Sequence, residues 1–276
     1  VSEVLAVRAG FWVRRPGLVL SVVVLAVVVL WALVPSVFTS YDPLAGVPRE
    51  KLQGPSAAHL FGTDETGRDV FARVVHGAGA SLRATLLAVL IALVAGSVLG
   101  LVAGPRGGWL DSVLMRVMDV LLAIPSILLS LALVTALGFG TTKVAIAVGV
   151  ANVANFARLM RAEVIRVRTG VYVEAARASG VRWFGVLTRH ILPNALGPVV
   201  VLAVLSFGTA VLEISALSFL GYGATPPSPE WGSLVSAGRA YLASAWWMTT
   251  LPGLVIAAVV LAANRLSRAL DGERDE

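Results

Sequence analysis

Residues 18–34 read LVLSVVVLAVVVLWALV, an uncharged stretch that follows Arg8, Arg14 and Arg15. At 1.5 Å of rise per residue, such a run is long enough to cross the hydrocarbon of a bilayer as an α-helix. A cleaved secretory signal is the rival reading, but the stretch is longer than a usual signal core and no A-x-A-like site closes it. Composition says that the run is not isolated. Of 276 residues, 57% are hydrophobic and 14% charged, against about 25% charged in an ordinary soluble domain. A soluble fold could not hide that much apolar surface.

Five further apolar windows follow, at residues 86–102, 120–136, 144–157, 198–212 and 249–263. The fourth and sixth windows of the series are short for a crossing and need neighbours such as Asn155, Arg158 or Asn264 to complete it. The expectation is an all-α polytopic membrane protein of about six transmembrane helices, with N- and C-termini cytoplasmic. In that orientation Arg8, Arg14, Arg15, Arg106, Arg116, the arginines from Arg158 to Arg189, and Arg265, Arg268 and Arg274 share one side. Roughly two-thirds of the basic residues then face the cytoplasm, as the positive-inside rule requires. Residues 35–76 fall outside, with their basic residues offset by Asp42, Glu50, Asp64, Glu65 and Asp69, and Trp246 and Trp247 precede the last span, where indole rings favour the membrane interface. Two regions are expected: residues 1–78, with the N-terminal cytoplasmic segment, the first transmembrane helix and an extracytoplasmic loop, and residues 79–276, a core with five transmembrane helices.

The formal net charge of +6 is almost wholly arginine, since Lys51 and Lys143 are the only lysines. No basic run is interleaved with aromatics in a soluble segment, so topology accounts for the arginines and nucleic acid does not. The absence of cysteine removes disulfides, thiolate metal sites and cysteine nucleophiles together. His59, His76 and His190 share no ligand spacing, so no metal site is expected and a solvated or capping role is the default. No Ser/His/Asp constellation stands out. Neither lysine lies in a Gly-Lys-Ser/Thr context, so this chain has no P-loop. A secondary transporter would need inverted repeats around broken helices, and no convincing repeat is present.

The cytoplasmic stretch 158–193 is organised unlike a simple connector. It reads as two short helices: Thr169 or Gly170 opens the first, Gly180 supplies a left-handed stop, and Pro193 breaks the second before the next span. Val173, Ala176 and Gly180 lie near one face while Glu174 and Arg177 point elsewhere, and Ala175, Ala176 and Ala178 keep the helix thin. Physical reasoning leaves two uses open: docking in a partner's groove, or an amphipathic connector on the membrane surface.

Glu174-Ala175-Ala176, then Gly180, then Ile191-Leu192-Pro193 resembles the EAA motif of binding-protein-dependent ABC importer permeases, with ten residues between Gly180 and Ile191 and no spacer before the Leu-Pro pair. Residues 59–82 (HLFGTDETGRDVFARVVHGAGASL), 109–131 (WLDSVLMRVMDVLLAIPSILLSL) and 217–232 (LSFLGYGATPPSPEWG) resemble the C-type permease of dipeptide, oligopeptide and nickel importers. The tail departs from that pattern, since residues 264–272 read NRLSRALDG and lack the family's Gly-Asp pair. The resemblance implies a type I ABC importer permease fold in a bacterial or archaeal plasma membrane. It makes residues 169–193 the coupling segment that docks on an ATPase, with Glu174, Ala175, Ala176, Arg177, Gly180, Ile191, Leu192 and Pro193 as contact residues. It also implies a second homologous permease subunit, two ATPase subunits or domains that carry ATP and Mg, an extracytoplasmic substrate-binding protein, and short peptides as cargo, with nickel as the alternative. No cofactor is expected in this chain.

Inside the spans, Glu213 is costly in lipid and must face protein or a water-filled path, either lining the pathway or holding helices together. Asn152 and Asn155 are ambiguous in the same way. Asp119 is expected to pair with Arg116 at i, i+3, and Pro125 to kink its helix. The loop 221–247 faces outward, where Pro226, Pro227, Pro229 and Trp231 are candidates for receiving the binding protein.

Overall fold

The computed structural model describes residues 16–105 and 107–272, so Arg8, Arg14, Arg15, Arg106 and Arg274 lie outside the described residues. Helix α1 (Pro16–Leu33) coincides with the first apolar window and ends just before Pro35, where the chain can no longer supply the helical N–H. Helix α2 (Val70–Ala103) has 34 residues, about 50 Å at helical rise. It therefore starts well before its apolar window at residue 86. Its first turns are not lipid-exposed: Val70, Val74 and Ala78 are buried with Trp231, Trp247 and Met248 in an outer core. Asp69 caps the helix by accepting from the Ala72 amide at 2.6 Å.

The tightest packing is between α2 and α5 (Thr141–Arg168), and its cause is Gly96, Gly100 and Gly104, spaced four apart. A Cβ at Gly96 would lie 2.5 Å from Phe156 Cβ and 2.6 Å from the Val153 carbonyl, and one at Gly100 would lie 2.7 Å from the Ala157 carbonyl. Only glycine lets the two backbones meet this closely, the small-residue mode of association available in lipid.

The third window is not one helix. Helices α3 (Gly108–Leu122) and α4 (Ser126–Leu137) meet at 94°, so Pro125 does more than kink. It stands before the first residue of α4 in an extended conformation (φ −52°, ψ 131°) and starts a new helix, and its carbonyl accepts the Leu128 and Leu129 amides. The pair still crosses once. The Gly140 amide just after α4 donates to the Tyr222 carbonyl at 2.9 Å, and Phe139 stacks on Tyr222, so α4 ends beside the outer end of α8 (Leu192–Phe219). Among the described residues, five continuous helices and one broken pair give six crossings.

Between α5 and α8 lie α6 (Val171–Ala178), α7 (Trp183–Val186) and a wide π turn, Leu187–Ile191, that runs straight into α8. Pro193 does not break a helix. It is the second residue of α8, and the helix passes through it by way of the π turn, in which the Leu192 amide just before it reaches back to the Leu187 carbonyl. Helix α9 (Trp231–Gly238) lies within the outward 221–247 stretch and packs against α8 and α10 (Trp247–Gly272). Gly17 lies against the Arg265 guanidinium, so the start of α1 and the late turns of α10 share the side that the arginines assign to the cytoplasm.

Candidate functional site

The candidate residues inside and below the bundle fall on a polar stripe across its middle and on the α6–α7 projection at the cytoplasmic end.

The stripe is assembled around Glu213 near the outer end of α8. Ser126, the first residue of α4, donates to Glu213 Oε1 at 2.6 Å. Asn152 of α5 donates to Glu213 Oε2 at 3.1 Å and to its own helix at the Val148 carbonyl at 3.0 Å. Asn155 reaches Asn152 Oδ1 at 3.4 Å and is exposed. One carboxylate thus ties the restart of the broken span to α5 and α8. A half-buried carboxylate in such a bundle needs these donors, because hydrocarbon supplies none. Towards the cytoplasm the stripe continues in Arg158 and Asp119, 3.8 Å apart and both exposed. Asp119 pairs with Arg158 across helices rather than with Arg116, because the carboxylate sits where α3 faces α5.

The projection follows directly from local sequence. Helix α6 ends in a Schellman motif: Gly180, at φ +80°, donates to the Arg177 carbonyl at 2.9 Å, and the Val181 amide reaches the Ala176 carbonyl at 3.2 Å. Val173 and Ile191 are fully buried with Val186 in the cytoplasmic apolar cluster, and Leu192 packs against it. Glu174, Ala175, Arg177 and Gly180 are exposed, as is Pro193, and Ala176 is intermediate. The Arg177 guanidinium lies 5.4 Å from the Trp183 ring centroid, which links α6 to α7. Around them Val171 is 81% and Phe184 73% exposed, an apolar rim on a surface that also carries charge. Among the described residues Glu174 makes no ion pair.

The outward end is built differently from expectation. Pro226 and Pro227 are exposed and Pro229 is partly so, but Trp231 is fully buried and donates from Nε1 to the Val74 carbonyl at 3.0 Å, so it offers no docking surface. Trp247 is also buried, donating to the Thr63 carbonyl at 3.1 Å, and of this pair Trp246 is the exposed one. His59 is buried rather than solvated and bonds the capping carboxylate Asp69 at 2.8 Å. Asp64 organises the GTDETGRD turn. Burial works against its charge, yet the amides of Arg68 and Thr66, the Thr66 hydroxyl and the Arg68 guanidinium together hold its carboxyl below the usual range.

Sequence reasoning missed Ser126, the buried Glu230 and the Asp111–Arg161 pair. The residue after a helix-breaking proline and an acid in the first turn of a span are signals that would have flagged Ser126 and Asp111, but their partners lie 87 and 50 residues away.

Residues 96–274 match the family model described as binding-protein-dependent transport system inner membrane component. A dipeptide transport system permease protein DppC of Alkalihalophilus pseudofirmus is 43% identical over 257 residues, 93% of this chain and 84% of that protein. The glutathione transport system permease protein GsiD of Pectobacterium atrosepticum is 39% identical over 93% of this chain and 83% of its own length. Among solved structures, a chain of the inward-facing MetNI methionine ABC transporter aligns with TM-score 0.55 at 20% identity over 72% of this chain and 96% of that chain, which supports the fold alone. With the six crossings and the exposed α6 helix already in place, these matches lead to one assignment: the chain belongs to the family of binding-protein-dependent transport system inner membrane components.

Proposed function

We propose that this chain is the permease subunit of an ATP-driven importer in the inner membrane of a bacterium, passing short peptides that an extracytoplasmic binding protein delivers. It forms half of a pathway with a second, homologous permease, and two ATPase subunits carrying ATP and Mg supply the energy. The peptide cargo is supported by the names of the relatives, several of which are dipeptide or peptide permeases.

The observation that carries the reading is the construction of α6. Val173 anchors it in the cytoplasmic core, the Gly180 motif ends it after eight residues, and its Glu174 face is left open. Such a helix transmits force only if a partner grips it differently in two states. Closing of the ATPases on ATP moves α6, α5 moves with it through Thr169 and Gly170, and the bundle rocks around the Glu213 stripe. In this cycle Glu213 holds the broken span to α5 and α8, Asn152 and Asn155 extend its polar face towards the cytoplasm, and the exposed prolines at 226–227 meet the binding protein.

The test is Glu174→Arg in the reconstituted complex. The variant is expected to assemble and to accept loaded binding protein, yet to take up no peptide when ATP is supplied. Uptake at the wild-type rate would refute the role of α6.

A further inference from the structure

Two arginines on one face of α5 grip the corner where α2 passes into α3. Arg161 donates from Nε and Nη2 to the two carboxylate oxygens of Asp111, at 2.5 and 2.6 Å. Two turns later Arg168 Nη1 donates to the carbonyls of Gly104, at 3.1 Å, and Pro105, at 2.7 Å. A bidentate fork fixes orientation as well as distance. This is no loose surface contact, since the Asp111 side chain is 12% exposed and that of Arg161 32%.

The pair also lies between α6 and the broken span. Arg168 is the last residue of α5, and α6 begins three residues on at Val171. At its other end α3, 15 residues long, or about 22 Å, delivers the chain to the break where Ser126 holds Glu213. At the start of α3, Gly107 and Gly108 have φ of +64° and +80°, and a Cβ on either would meet nothing within 4 Å. The fork from α5 fixes the first turn of α3, and from Met115 onward α3 packs on α5 and α2 through Met115 and Met118 against Leu99, Ala154 and Ala157.

Resting on the reading of the chain as an energised permease, we propose that Asp111 and Arg161 are positioning residues for transport, forming the joint through which movement of the coupling helix passes from α5 into the broken span. Without the fork, α5 follows α6 while the cytoplasmic end of α3 lags behind, and the broken span, held to α5 at its Ser126 end through Glu213 and Asn152, is driven from that end alone. ATP is then hydrolysed without transport.

The experiment uses the full complex in vesicles with its binding protein, measuring dipeptide uptake and ATP hydrolysis together. Absence of ATP-driven uptake by the wild type would overturn the underlying permease reading, and this proposal with it. With wild-type uptake in hand, Asp111→Asn and Arg161→Gln are each expected to lower uptake about tenfold while hydrolysis stays within about twofold, as for a lost coupling term between sites. The reciprocal exchange, Asp111→Arg with Arg161→Asp, is expected to recover uptake to within about threefold of wild type, as a pairwise interaction requires. A merely structural contact would lower uptake and hydrolysis in the same proportion, and that result, or unchanged uptake in the single variants, overturns the proposal. Should the single variants fail to assemble, Asp111→Glu keeps the charge while displacing the fork. A raised ratio of ATP to peptide supports the joint, and an unchanged ratio overturns it.

Discussion

Replacing Glu230 by alanine should destabilise the outward face far more than a typical surface substitution, although Glu230 lies in a segment that looks like a proline-rich loop. Its side chain is fully buried. It caps α9 by accepting the amides of Gly232 and Ser233, each at 3.0 Å, together with the Ser233 hydroxyl at 2.9 Å and the Ser81 hydroxyl at 3.4 Å. Loss of a cap costs about 1–2 kcal/mol, and each further buried donor left without a partner costs about 1–3 kcal/mol. Removing the carboxylate also relieves its desolvation, which trims the total, and a net loss of about 3 kcal/mol is expected, roughly a hundredfold in the ratio of folded to unfolded chain. Glu230→Gln should recover little, because its NH2 faces donors where an oxygen is needed. Glu230→Asp keeps a capping acid and should cost only about 1 kcal/mol. The assay is equilibrium unfolding of the purified chain in mild micelles, titrated with a denaturing detergent and followed by tryptophan fluorescence. An alanine variant within about 1 kcal/mol of wild type, or a glutamine variant equal to it, would refute the account of α9 as capped by a buried acid.

Gly100→Val should separate α2 from α5, because even a Cβ would lie 2.7 Å from the Ala157 carbonyl. Overpacking of this kind costs about 1–3 kcal/mol or more, read as a lower melting temperature in detergent, and an unchanged melt would dismiss the close approach. The GTDETGRD turn should respond to acid. The Asp64 carboxyl is held below its ordinary value, so its contribution to stability is complete above about pH 4 and is lost as pH falls through the lower folded value. Hydrogen exchange of residues 62–69 should therefore be flat from neutral pH to about 5 after correction for intrinsic rates and accelerate only in stronger acid, and acceleration near pH 6 would contradict the assignment.

The membrane character, the number of crossings and the cytoplasmic projection were legible from sequence because each rests on local physics. An uncharged run such as residues 18–34 has one stable home, and the arginine bias orients it. The stop at Gly180 is equally local, since a left-handed residue ending a helix needs no distant partner. The candidate site was half legible. Glu213 announced itself as an acid in a span, and the EAA stretch by its residue order.

What the sequence left open required two segments to meet. Pro125 marks a possible bend, but the angle of 94° and the restart at Ser126 depend on Glu213 waiting on α8. Trp231 and Trp247 looked like surface or interface residues until the long outer turns of α2 closed over them. Asp119 had an acceptable partner at i, i+3 and took one on another helix instead. Local propensity and hydropathy depend on a few neighbouring residues, whereas a buried hydrogen bond or ion pair is decided by which backbones can approach. In this chain that choice is made largely by Gly96 and Gly100, whose missing side chains draw α2 against α5.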